Sequence, residues 1–164
     1  YSGIQQRALD SQRAQDAATI KQLVLSYNAE YGGVPLTSSY SSDQSAHSGW
    51  DQSSSSDWLS FLRASQGTMP IDPVNKLIAS QNPSGGGNFT YYYYCYAQGA
   101  GPSPSTPNVV VGYHRSNGSP VVLNFAVDSC LPSRRARLPM RCTKAALRVP
   151  RCAPLRCRSG RFVA

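Results

Sequence analysis

The chain has 164 residues, enough for one domain of ordinary size with a real core. Its net charge of +8 is unevenly placed: the first 130 residues hold six bases against eight acids, whereas Lys144 and nine arginines lie after Leu131 with no acid among them. A uniformly basic nucleic-acid-binding domain is therefore excluded, and no run approaches the ~20 apolar residues that a membrane-crossing helix needs.

Residues 1–33 come first and organise the rest. Ile20, Leu23, Val24, Tyr27 and Tyr31 recur at helical spacing and define one apolar face. Asp10, Arg13, Asp16, Lys21 and Glu30 are expected largely off that face. Gly32 and Gly33, with Pro35 beyond, form a stop signal. Only the later half carries enough apolar surface to dock, so the first half is expected to reach out of the domain as a spoke.

Residues 36–56, rich in Ser, Gly and Asp, read as a long exposed connection. A short helix is predicted over 56–63, capped by Ser56, with Asp57 at its positive end and Trp58, Leu59, Phe61 and Leu62 on its buried face. Residues 69–76, with Pro70 and Pro73, should be extended. Residues 83–87 read as a flexible break.

The period then changes to two. Residues 89–96 are β-prone throughout, with Phe89, Tyr91, Tyr93 and Cys95 on one face and Tyr92, Tyr94 and Tyr96 on the other. Residues 109–113 and 121–127 are two further strands, and Asn117-Gly118 between them is a turn signal. The result is an antiparallel meander with one face free for the helix. Cys95 and Cys130 are the only cysteines before the basic tail, an isolated pair that suggests one disulfide and an oxidising compartment. Two buried reduced thiols are the alternative.

Three stretches in order carry a family resemblance: Tyr1-Ser2-Gly3-Ile4-Gln5-Gln6-Arg7-Ala8, the helix end Tyr27-Asn28-Ala29-Glu30-Tyr31-Gly32-Gly33-Val34-Pro35, and Pro70-Ile71-Asp72-Pro73-Val74-Asn75-Lys76 ahead of a Tyr-rich meander. Together they resemble the type IV pilins and their type II secretion pseudopilin relatives, over residues 1–131. The resemblance implies an α+β fold, with a long N-terminal α-helix packed on a three- to four-stranded antiparallel sheet. The division is a helix (1–33), a pilin-like head (34–130) and a basic Cys/Arg/Pro-rich tail (131–164). It also implies an apolar half-helix ahead of Tyr1, which anchors a precursor in the inner membrane and later packs in a filament core.

The function so implied is structural, with no enzyme activity and no cofactor. Identical or related subunits would assemble into a cell-surface filament serving adhesion, motility or DNA uptake. A secretion pseudopilin is the alternative. Residues 36–56 and the loop between Cys95 and Cys130 would be the subunit-contacting surfaces, and Tyr92, Tyr94 and Tyr96 are expected at a surface or subunit contact.

Other chemistry is thin. His47 and His114 lack partners at metal or triad spacing and are expected as exposed loop or strand-end residues. No Gly-x-Ser-x-Gly elbow or phosphate loop occurs. Asp72 and Asp128 are candidate calcium ligands, as in acidic loops of some pseudopilins, though turn formation explains both. The tyrosine run could be a sugar- or aromatic-binding platform, but one face in the core and one packed beneath a loop or neighbouring subunit explain it better. Cys142, Cys152 and Cys157 lack zinc spacing. The tail reads as a disordered, non-native or out-of-frame extension; the alternative is a basic arm that binds nucleic acid.

Overall fold

The computed structural model describes residues 2–41, 49–76, 82–85, 87–102 and 105–132, with backbone alone at 64–66. His47 and the whole basic tail beyond 132, with its three cysteines, lie outside the described residues. The described part is an α+β arrangement of one long helix, one short helix and a four-stranded antiparallel sheet, with a two-stranded parallel ribbon at one side.

Helix α1 runs Ser2–Tyr31, roughly 45 Å at 1.5 Å per residue. Alanines, glutamines and leucines favour it, and the first proline comes only at position 35. Gly32 ends it with φ +70°, its N–H returning to the Asn28 carbonyl at 2.8 Å. Gly33 is required for space as well as conformation: a Cβ there would lie 2.2 Å from Ser129 Oγ. The chain can therefore run close to Ser129 and enter β1 (Val34–Pro35), which later pairs in parallel with β6 (Cys130–Leu131).

The connection after β1 is not the exposed loop that its serines suggest. Thr37 and Ser41 are buried, and so are Trp50, Ser53, Ser55 and both residues of β2 (Asp51–Gln52). β2 becomes an edge of the sheet by pairing with Tyr92 and Tyr93, and serine is small enough to pack beneath neighbouring backbone once its hydroxyl is bonded. Ser53 Oγ, for example, donates to Asn75 Oδ1 and accepts the Tyr91 N–H.

Helix α2 (Ser60–Gln66) starts four residues later than the sequence predicts. Ser56 does not cap it. The chain turns through residues 53–59, and Leu59 adopts a left-handed conformation with φ +43°. That turn lets Trp58, Leu59 and Leu62 all enter the core, and Trp58 Nε1–H donates to the Pro70 carbonyl at 2.9 Å.

The main sheet has the order β2-β3-β4-β5, with β3 at Tyr92–Tyr96, β4 at Asn108–His114 and β5 at Pro120–Ala126. β3 is shorter than predicted, because Phe89 forms only an isolated bridge with Lys76. The turn between β4 and β5 contains Asn117 and Gly118 as expected, with Gly118 at φ +83°. Tyr91, Tyr93, Cys95, Val109, Val111 and Tyr113 face α1 with Ala17, Ile20, Val24, Trp58, Leu59 and Leu62. Val121, Leu123 and Phe125 extend this face, while Pro120, Val122, Asn124 and Ala126 of the edge strand alternate outward. Cys95 and Cys130 are bonded in a disulfide that ties β3 to β6.

Candidate functional site: the helix–head junction

The site begins with an exposed arm. Every residue from 2 to 8 is exposed, including Ile4 at 73%. From Asp10 onward the helix is seated on the head, so the spoke is shorter than the sequence predicts. Asp10 and Arg13 lie on the docked face: Asp10, Arg13, Ala17, Ile20, Val24 and Tyr27 follow one another by three or four residues. Their polarity hid them from an apolar-period reading.

Arg13 is the centre of this upper contact and is 1% exposed. Its Nε donates to Asp72 Oδ2 at 2.8 Å and its Nη2 to Asp72 Oδ1 at 3.3 Å. Its Nη1 donates to Asp10 Oδ1 at 3.0 Å and to Ser116 Oγ at 3.1 Å. Asp10 Oδ1 also accepts the Ser116 N–H at 2.8 Å, which binds the β4–β5 turn to α1. Asp72 Oδ1 further accepts the Val74 N–H at 2.8 Å. One guanidinium thus joins the helix, the Pro70–Pro73 segment and the hairpin turn. Three helical positions on, the Tyr91 hydroxyl donates to Asp16 Oδ2 at 2.7 Å. Burial, followed by the Asp16 charge, raises the Tyr91 pKa and keeps the hydroxyl a donor.

The lower contact is apolar. Ile20 and Val24 are fully buried, and Leu23 and Tyr27 are half-buried against the same core. Tyr31 sits at its margin, its ring 4.4 Å from that of Tyr27. At the end of α1, Asn28 and Asp128 exchange two hydrogen bonds of 3.1 and 3.0 Å. Asp128 is therefore held far from Asp72, and the two do not form the calcium pair. Among the described residues no group of three His, Cys, Asp or Glu could hold a metal ion.

Beneath the short helix, Asp51 is fully buried. Its Oδ2 accepts the Tyr40 hydroxyl at 2.8 Å and the Leu59 N–H at 2.9 Å, and its Oδ1 accepts the Gln52 N–H at 2.8 Å. Burial nonetheless pushes its pKa up to about 7. The left-handed Leu59 aims its N–H at this carboxylate, so the strained turn and the buried acid support each other.

The second face of the sheet carries Tyr92, Tyr94 and Tyr96, packed beneath part of the connection that precedes the strands. Tyr92 is wholly buried, and Tyr94 and Tyr96 are half-buried around Trp50. Trp50 lies 5.4, 5.1 and 6.2 Å from their three ring centroids. The chain covers this face with its own tryptophan, whose isolated position among serines carried no periodic signal. His114, expected to be exposed, is also fully buried. Its Nε2–H donates to the Ser84 carbonyl at 3.2 Å, so part of the glycine-rich break serves as a cover. Burial lowers its pKa.

No helix among the described residues is long and apolar enough to cross a membrane. The arrangement offers a long helix fixed to a sheet at one end and exposed at the other, a geometry suited to holding a head on an arm. No family model, curated protein or solved structure matches this chain.

Proposed function

We propose that this chain is the head-bearing part of a type IV pilin-like subunit, assembling with identical or related subunits into a surface filament through α1. The observation that supports the reading is the division of α1: residues 2–8 are exposed throughout, while Asp10 to Tyr27 are fastened to an antiparallel sheet. A helix seated by a buried ion pair above and an apolar face below transmits force to its head without hinging. The disulfide reinforces the same unit, closing the region that carries β4 and β5. On this reading an apolar half-helix continuous with α1 anchors the precursor in the inner membrane and then packs in the filament core.

Immunogold labelling of the source cells, with antibodies raised against the folded protein, tests the proposal. Gold along long surface filaments is the expected result. Label confined to the envelope would replace it with the pseudopilin reading, and label in the cell interior would overturn both.

A further inference from the structure

The exposed acids of the described surface gather at one end of α1. Glu30 and Asp128 are the exposed acids among the described residues, and both lie at the C-terminal end of the helix. At the other end, Arg7 and Arg115 flank a groove of 480 Å³ between α1 and the β4–β5 turn, lined also by Asp10, Ser11, Ala14 and Tyr113. Both arginines are exposed, and neither guanidinium has a hydrogen-bonding or acidic partner among the described residues. Asp10, in the same groove, already has its Oδ1 engaged by Arg13 and Ser116.

The position of Glu30 runs against the helix's own dipole. The C-terminal end of a helix favours bases, yet the last turn of α1 has no base and carries Glu30. Among the described residues of one copy, Arg7 and Arg115 meet no acid, and neither Glu30 nor Asp128 meets a base. A second copy stacked head to tail brings opposite charges together at both ends.

We propose that the groove formed by Arg7, Tyr113 and Arg115 receives the acidic end of α1, Glu30 and Asp128, from a second copy of this chain. Guanidinium pairs suit carboxylates by geometry as well as charge. Arg7 and Glu30 are about 35 Å apart along a helix rising roughly 1.5 Å per residue, which sets the scale of the repeat. The groove and the acidic end are different surfaces, so the contact is heterologous and extends into a filament unless a rotation closes it. The inference deepens the filament reading by naming a subunit contact within it.

Sedimentation velocity of the full chain at low ionic strength tests it. The unaltered protein should self-associate with rising concentration and dissociate with added salt. The reversals R7E/R115E and E30K/D128K should each weaken association by about tenfold or more. An equimolar mixture of the two should associate again, because the reversed pairs are complementary. All four positions are exposed, so melting temperatures should match the parent; E30K alone serves if the loss of Asp128 from Asn28 loosens the helix end. A protein that stays monomeric, a mixture that fails to associate, or unimpaired association of either reversal overturns the contact. If only the acidic-end variant loses association, the acids meet another base, such as the arginines after Leu131, and the groove assignment falls. Should the contact fail while antibodies label filaments, only this contact is withdrawn. Should it hold without labelled filaments, the pairing stands and the filament function falls.

Discussion

Arg13 and Asp72, 59 residues apart in sequence, form a two-point ion pair at 2.8 and 3.3 Å, with their side chains 1% and 0% exposed. A pair so deeply buried is held by its geometry, because each charge has lost its water and has only its partner and nearby donors in exchange.

Removing one partner should therefore be far worse than removing both. Asp72→Asn keeps an acceptor for the Val74 N–H but leaves the buried guanidinium with only the partly exposed Asp10 as an acid, and should cost about 3 kcal/mol. The double variant R13M/D72L should recover much of that loss. Urea denaturation measures both, and an unaltered midpoint for D72N would show that the pair carries no such weight.

The Cys95–Cys130 bond spans 35 residues, so its removal should release roughly 4 kcal/mol of constraint on the unfolded chain. Cys95→Ser with Cys130→Ser should lower the urea midpoint accordingly. Peptide mapping without reduction should recover the two cysteines joined. Alkylation of both in the folded, unreduced protein would rule the bond out.

Two buried groups give opposite pH dependences. Asp51 is pushed up to about 7 against an ordinary value of 3.8, so the native state holds a proton that the unfolded chain releases. Its contribution is present below about pH 4 and is lost as pH rises towards 7. His114, lowered from 6.5 by burial, favours the fold above that value and loses its contribution as pH falls through its folded pKa. The stability advantage of D51N over the parent should thus grow with rising pH between about 4 and 7. That of H114Q should grow as pH falls below about 6.5. Differences that stay flat across these ranges would mean that neither group titrates as its burial dictates.

Tyr92 lies across Gly112, its partner in the β3–β4 register. A Cβ at 112 would fall 2.3 Å from the ring. Gly112→Ala should therefore destabilise by about 1–3 kcal/mol through overpacking. Adding Tyr92→Val should relieve part of that clash beyond simple additivity. A G112A protein as stable as the parent would place the ring elsewhere.

Some of this molecule is legible without a structure. Ile20, Val24 and Tyr27 announce a helix face, Gly32 announces its end, and Asn117-Gly118 announces the hairpin, because each signal arises from neighbours within a turn or two. The alternation of Tyr91 to Tyr96 sorts those rings between two faces for the same local reason. What covers each face is not local. Trp50 sits among serines with no period to mark it, and His114 is buried by residues that read as a flexible break.

The sequence by itself determined the helix, the three long strands and the cysteine pair available for crosslinking, since backbone preference and side-chain period act over a few residues. The packing of the whole fold turns Arg13 inward, sets Asp51 to hold the Leu59 turn, and buries residues 50–53 and Ser55. A polar side chain is buried or exposed according to whether a partner waits across the fold. That partner, here Asp72 for Arg13, is brought into place by the packing of apolar residues elsewhere.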